Sequence, residues 1–200
     1  MQKKTCFLAA AILGMAPALA AAAEGREGVY GLAGISRYKL EDKGAKDAAG
    51  KRDVWKANTN AVSLGGGVRV SPNLAFEGGY RFNPRGVKRD GVGKYSSQSL
   101  DASMLVIMPV GDRVELFGRA GAAYMRNSLK PAVKVEGIKA PRDSMLAARL
   151  GVGMDFHLSE NTFIRAEASV LKPRKSGSSK VLQGKKWQSE GVALSIGQRF

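Results

Sequence analysis

The stretch HLSE (157–160) holds the residue types best suited to chemistry in this sequence. A histidine can take the proton of a serine hydroxyl, and a carboxylate can orient that histidine, which is the arrangement of nucleophilic catalysis. His157 and Ser159 are two residues apart and would share one face of a strand, and Glu167 follows shortly after them. The alternative is that His157 is a polar residue that fills an interior. The elements that carry these residues decide between the two.

No other motif indicates a reaction or a cofactor. The stretch LGGGV (64–68) is rich in glycine, but no Lys-Ser/Thr pair follows it and no helix is predicted to begin there, so a phosphate-binding loop is not indicated. These glycines are better explained as residues that make room in a narrow interior. With one histidine, one cysteine and no cluster of carboxylates in a loop, the sequence lacks metal-ligand spacing. We therefore expect no enzyme activity, no metal and no other cofactor.

The N-terminal residues have the features of a secretory signal peptide. Residues 1–4 are basic, an apolar run that contains Pro17 follows, and small residues suited to cleavage come next. We predict that residues 1–23 are removed together with Cys6, the only cysteine, and that residues 24–200 form one domain. Loss of Lys3 and Lys4 lowers the formal net charge from +15 to +13. An exported protein this basic is expected to meet an anionic membrane surface and not nucleic acid.

The rest of the sequence consists of eight segments in which large apolar residues alternate with small or polar ones, a pattern that predicts β-strands. About ten residues rising ~3.3 Å each, tilted by roughly 40°, cross the ~25 Å apolar band of an outer membrane. Three connections are tight turns (71–73, 111–113 and 159–161) and four are long and polar (39–58, 83–94, 126–143 and 172–186). Short turns at one end and long loops at the other are typical of outer-membrane barrels, with the turns in the periplasm. The predicted strands are 28–38, 60–70, 74–82, 97–110, 114–125, 145–158, 162–171 and 187–200.

Most predicted strands have one apolar face and one face of charged residues and glycine. In 74–82, Phe76 and Tyr80 oppose Glu77 and Arg81, and only the first strand is ambiguous. A soluble eight-stranded ligand carrier would place the apolar face inside, whereas a membrane barrel places it outside. Glycine on the charged face, aromatic residues near the ends of the apolar faces, and a terminal strand ending at Phe200 favour the membrane barrel, since no open sheet edge is stable in lipid. We predict an all-β fold, an eight-stranded antiparallel up-and-down transmembrane β-barrel in the bacterial outer membrane.

Three stretches resemble the small barrel of outer membrane protein A and its relatives. VELFGRAGAAYMR (114–126) is similar to a strand of that family, GVGMDFHLSENTFIRAEAS (151–169) to its penultimate hairpin, and VALSIGQRF (192–200) to its last strand. Gln198 stands where the family often has tyrosine. The resemblance implies a barrel of this kind over the mature chain. The peptidoglycan-binding domain of the namesake protein is not expected, so wall anchoring does not carry over.

The turn SEN predicts an ion pair in the lumen. If this turn is symmetric about Glu160, Asp155 faces Arg165 on the inward side, with Cβ atoms about 5 Å apart. Buried charges are costly unless paired, and the resemblance implies an acidic residue and an arginine at these positions. Arg69 and Arg149 are also expected to crowd the lumen. The predicted ion-pair network consists of Glu77, Arg81, Asp101, Arg119, Asp155, Arg165 and Glu167.

These features predict a closed, monomeric barrel that stabilises the envelope and presents loops at the cell surface. The four long connections hold twenty-one Lys and Arg against seven Asp and Glu, which predicts contact with lipopolysaccharide phosphates. The residues expected to make this contact are Lys172, Arg174, Lys175, Lys180, Lys185 and Lys186. By its resemblance to the family, the terminal Phe200 is expected to be read by the outer-membrane assembly machinery.

Three other functions stay open at this stage. A small diffusion pore or transporter is one, although an eight-stranded interior is just filled by side chains. A lipid A-modifying enzyme is another, because outer-membrane lipid A deacylases resemble the His-x-Ser pair with a glutamate. Ser159, however, is predicted in a periplasmic turn, away from the outer leaflet, and His157 has lumen parity. An adhesin is the third.

Overall fold

The structure, a computed structural model, describes residues 26–46, 52–84, 87–89, 93–131, 142–173 and 186–200. In these ranges the chain forms strands and turns, and it contains no helix long and apolar enough to cross a membrane. The strands are β1 (Gly28–Lys46), β2 (Arg52–Ser71), β3 (Leu74–Phe82), β4 (Val87–Arg89), β5 (Gly93–Pro109), β6 (Val114–Pro131), β7 (Arg142–His157), β8 (Thr162–Pro173) and β9 (Lys186–Arg199). The predicted signal peptide, residues 1–23, lies outside the described residues and stays a prediction.

Eight of these strands close into an antiparallel barrel, which confirms the predicted fold. Each strand pairs with its sequence neighbour, β3 pairs with β5, and β1 pairs with β9 to close the ring. The β1–β9 seam runs from Tyr30 opposite Arg199 to Lys43 opposite Lys186. The three-residue strand β4 pairs only with β5 and lies inside the predicted loop 83–94, outside the ring.

The barrel has two unlike ends, which we call the turn rim and the loop rim. At the turn rim, β2–β3, β5–β6 and β7–β8 are joined by tight turns at 72–73, 110–113 and 158–161, and the chain reaches Phe200. The loop rim is the opposite end, where the long connections begin.

The strands near the loop rim are longer than the sequence predicts. β1 and β2 continue through most of the predicted loop 39–58, with Lys39 opposite Asn58 and Lys43 opposite Val54. β6 likewise runs to Pro131, into the predicted loop 126–143. The extra residues are mostly polar, and backbone pairing does not need an apolar face. The periodicity that predicts strands therefore ends before the hydrogen-bonded ladder does.

The charged faces of the strands line the lumen and the apolar faces point outward. Glu77, Arg81 and Arg119 are buried, whereas Leu150 and Val152 are 62 % and 66 % exposed. The face assignment predicted for a membrane barrel is therefore the observed one. The ambiguous first strand follows the same rule, because Tyr30 and Tyr38 are buried and Ile35 is exposed.

Each of four aromatic side chains in the lumen lies opposite a glycine on the neighbouring strand. Phe163 pairs with Gly197, and a Cβ atom at Gly197 would lie 2.2 Å from Phe163 Cζ. The other pairs are Tyr30 with Gly67, Phe117 with Gly153, and Tyr38 with Gly191. The glycines on the charged face thus provide space for rings in a narrow bore. Tyr30, Phe117 and Phe163 belong to an apolar cluster inside the barrel with Ala75, Leu105 and Ile107.

Candidate functional site

Asp155 on β7 lies directly opposite Arg165 on β8, the register that a turn centred on Glu160 produces. Arg165 Nε and Nη2 donate to Asp155 Oδ1 and Oδ2, both at 2.7 Å. The pair therefore has the bidentate geometry that makes arginine–carboxylate contacts strong. The Arg165 guanidinium also lies 4.6 Å from the Phe117 ring centroid and 5.5 Å from that of Phe163. The two aromatic rings and the Asp155 carboxylate thus take the place of the water molecules that the Arg165 guanidinium loses on burial.

The ion pair extends across the lumen into a continuous network. Arg165 also pairs with Glu77, and Glu77 in turn pairs with Arg119 and accepts a hydrogen bond from the Tyr30 hydroxyl. Arg119 Nε lies 3.1 Å from Glu167 Oε2, and Glu167 Oε1 lies 2.7 Å from Arg149 Nη2. Arg149 finally pairs with Asp101.

Seven charged side chains on five neighbouring strands are thus joined without a break. β3 supplies Glu77, β5 Asp101, β6 Arg119, β7 Asp155 and Arg149, and β8 Arg165 and Glu167. The side chains in these pairs are no more than 7 % exposed. These side chains can act electrostatically but not as acids or bases, because an arginine lies within hydrogen-bonding distance of every carboxylate of the network.

The observed network differs from the predicted one in two members. Arg149, predicted to crowd the lumen but not to join the network, links Glu167 to Asp101. Arg81, a predicted member, makes no ion pair with any described residue, and its guanidinium instead lies 4.7 Å from the Tyr38 ring centroid. Arg81 lies two residues nearer the loop rim than the position opposite Asp101, and Asp101 itself is paired with Arg149.

A second charged cluster lies at the turn rim, and it is centred on Glu115. This side chain is 1 % exposed and lies 2.9 Å from Arg69, 3.0 Å from Arg26 and 3.0 Å from His157 Nε2. Arg199 Nη2 lies 3.3 Å from His157 Nδ1. We call this group the floor cluster. Glu115 is not among the residues predicted to line the lumen, although it shares the inward parity of Phe117 and Arg119.

The residues of the HLSE stretch do not come together as a nucleophilic site. His157 points into the floor cluster, whereas the Ser159 hydroxyl accepts a hydrogen bond from the Thr162 backbone within the exposed turn. Glu167 lies opposite Gly153, four residues along β7 from His157, which corresponds to ~13 Å at ~3.3 Å per residue. It is already paired with Arg119 and Arg149. The described geometry supports a structural role for these three side chains.

Acidic side chains of the described residues form no group suited to a metal ion. Of the residues predicted to contact lipopolysaccharide, Lys172 is exposed on β8, and Lys186 begins β9. Arg174, Lys175, Lys180 and Lys185 lie outside the described residues. Phe200 is 85 % exposed, and its backbone N–H donates to the carbonyl of Val29 at 3.0 Å, next to the seam.

Comparison with known proteins places almost the whole chain in one family. The sequence model described as "Outer membrane protein beta-barrel domain" matches residues 6–198. No curated protein matches the chain significantly in sequence.

Solved structures with a similar fold are small outer-membrane barrels. Neisserial surface protein A is 15 % identical with a TM-score of 0.65, and the match covers 86 % of this chain and 97 % of that one. Ail, the attachment invasion locus protein of Yersinia pestis, is 16 % identical with a TM-score of 0.57, covering 87 % and 99 %. The outer membrane protein OprG from Pseudomonas aeruginosa is 11 % identical with a TM-score of 0.56, covering 88 % and 98 %. Because the sequence identities are this low, the similarity concerns the fold alone.

Proposed function

Because the chain belongs to the family of outer membrane protein β-barrel domains, we propose that it is a structural barrel of the outer membrane whose lumen does not conduct. The observation that carries this proposal is the seven-residue ion-pair network, which joins side chains from β3 to β8 across the interior. A solute passing through would have to separate these pairs. Each buried charge left without its partner costs about 3–5 kcal/mol.

A diffusion pore is the competing function, and the geometry does not favour it. The interior of an eight-stranded barrel is just wide enough for its own side chains. Here the bore holds the network, the apolar cluster around Phe163 and the floor cluster in succession towards the turn rim.

Single-channel recording in planar bilayers tests the proposal. The folded protein is inserted from detergent at known protein-to-lipid ratio, and a sixteen-stranded porin in the same membrane serves as the positive control. Insertion of folded protein is verified by its shifted mobility on unheated denaturing gels. We expect no steady openings from the protein alone. Steady openings of uniform conductance that scale with the amount of inserted protein would refute a closed lumen.

We further propose that the basic connections at the loop rim contact lipopolysaccharide phosphates. The support is the composition of the four loop-rim segments 39–58, 83–94, 126–143 and 172–186, which hold twenty-one Lys and Arg against seven Asp and Glu. Arginine and lysine bind phosphate groups through charge-assisted hydrogen bonds. One relative of the same fold, Ail, has been solved in complex with the heparin analogue sucrose octasulfate, so a barrel of this kind can hold a polyanion. Removal of residues 1–23 during export and recognition of Phe200 by the assembly machinery complete the proposal.

A further inference from the structure

We propose that the loop-rim end of the lumen holds a binding site for one small monovalent anion, of the size of chloride. The site is built around Arg81 and Tyr38, separate from both the ion-pair network and the floor cluster. It does not depend on whether the lumen conducts.

Arg81 is a buried cation without an anionic contact among the described residues. It is 8 % exposed, and its Nε atom has no hydrogen-bond partner. Arg119, Arg149 and Arg165 each contact carboxylate oxygens in the same lumen. Asp101 lies on the neighbouring strand, but that carboxylate is already paired with Arg149. The Tyr38 ring offsets part of the charge through a cation–π contact of 4.7 Å. The Nε–H group of this guanidinium therefore has no acceptor among the described residues.

A small cavity adjoins the Arg81 side chain. It has a volume of about 40 Å³, and its lining includes Arg81, Tyr38, Thr59, Ser99 and Ser189. The Tyr38 hydroxyl is buried and has no hydrogen-bond partner. None of the described residues that line this cavity is acidic. Its polar lining consists of a guanidinium, hydroxyl groups and the Asn83 amide, all of which can donate hydrogen bonds.

Size and charge together define the occupant. One water-sized sphere takes up about 10–15 Å³ of such space, so the cavity admits an ion of halide size and excludes a phosphate ester or a sugar. A cation is excluded by the charge of Arg81. Water would fit as well, but only an anion gives Arg81 a charged acceptor of its own, because Asp101 and Glu167 are paired with Arg119 and Arg149.

Bromide provides a direct probe of this site. Crystals of the folded protein grown in sodium bromide should show an anomalous difference peak beside the Arg81 guanidinium and the Tyr38 hydroxyl. The peak should be absent in Arg81→Gln and weaker in Tyr38→Phe, which keeps the ring and loses only the hydroxyl. Arg37→Gln is the matched control, because Arg37 lies on the same strand as Tyr38 and points outward. A site filled by water, with no anomalous peak in the wild-type protein, would overturn the proposal.

Thermal unfolding in detergent gives a second readout that needs no crystal. Wild-type protein and Arg37→Gln should unfold several degrees higher in sodium chloride or bromide than in sodium gluconate at equal ionic strength, since a ligand that binds only the folded state stabilises it. Arg81→Gln should lose this difference. An equal halide effect in Arg81→Gln would show that the ions act elsewhere. If Arg81→Gln does not fold, Tyr38→Phe takes its place, and a halide effect as large as that of wild type would then count against the site.

Discussion

Arg165 joins opposite walls of the barrel. It forms two parallel hydrogen bonds of 2.7 Å with Asp155 on the adjacent strand β7 and pairs with Glu77 on β3. In the ring of eight strands, β3 is four strands away from β8 in either direction, so it lies on the far side of the lumen. One guanidinium therefore holds the β7–β8 hairpin and fixes the width of the bore.

The first prediction concerns loss of this cation. Arg165→Met keeps most of the side-chain volume but leaves Asp155 and Glu77 as buried carboxylates with one partner fewer. We expect the free energy of unfolding to fall by about 3–5 kcal/mol, the usual effect of removing one partner of a buried pair. Urea unfolding in lipid vesicles, followed by circular dichroism, measures the change. Adding Asp155→Asn to Arg165→Met should recover part of the loss, and an unaltered unfolding midpoint in the single variant would contradict the role given to Arg165.

The second prediction compares two glycines. Gly197→Ala places a Cβ atom 2.2 Å from Phe163 Cζ, whereas nothing lies within 4 Å of a Cβ atom built on Gly118, which is exposed on the outer face. We expect Gly197→Ala to lower the free energy of unfolding by about 1–3 kcal/mol, as overpacking does, and Gly118→Ala to leave it nearly unchanged. The same urea experiment compares them. If the two substitutions had equal effects, Gly197 would not be needed to make room for the Phe163 ring.

The third prediction separates folding from assembly at the terminal residue. Phe200 is largely exposed, and the hydrogen bond that its backbone N–H donates to Val29 can be made by any residue except proline. Replacing Phe200 by Ser should therefore leave refolding in detergent nearly intact but reduce the amount of protein assembled in the outer membrane of cells. Fractionation and gel mobility measure the two quantities. Phe200→Trp, which keeps an aromatic ring, should assemble at close to wild-type levels, and normal assembly of Phe200→Ser would refute recognition of this residue.

The fourth prediction concerns lipopolysaccharide. Replacing Lys172, Arg174, Lys175, Lys180, Lys185 and Lys186 together by Gln should weaken binding of fluorescently labelled lipopolysaccharide, measured by fluorescence anisotropy. Binding by wild-type protein should also fall as sodium chloride is raised, because salt screens exposed charges. Arg113→Gln, which removes an exposed charge at the turn rim, is the control and should have little effect. Binding that does not respond to salt would rule out the electrostatic mechanism.

The strand order and the inward faces could be predicted because alternation and turn residues are local signals. Leu74–Phe82 shows both, since its bounds and its two faces follow from its own nine residues and the adjacent turns. The partner of Arg165 on β7 could be predicted for the same reason, because a short turn fixes the register of its hairpin.

Contacts across the bore could not be predicted in the same way. Whether Glu77 meets Arg165 depends on the stagger between strands that are far apart in sequence, and alternation does not encode it. The same applies to Arg149, which reaches both Glu167 and Asp101, and to Glu115, whose partners come from four separate segments. The polar extensions of β1 and β2 could not be predicted, because they are strands by backbone pairing alone and their sequences lack an alternating apolar pattern.

The floor cluster has a consequence for the order of events during folding. Glu115 on β6 contacts Arg26 before β1, Arg69 on β2, His157 on β7 and, at 3.9 Å, Arg199 at the end of β9. These partners span nearly the whole described chain, so the cluster is complete only after the last strand has met the first. In an open sheet that lacks β9, Glu115 would not yet have its contact with Arg199. We therefore expect ring closure to be cooperative and to occur late, as in other structures dominated by contacts distant in sequence. The stability of the turn rim is then gained in the final step and is absent from partly inserted intermediates.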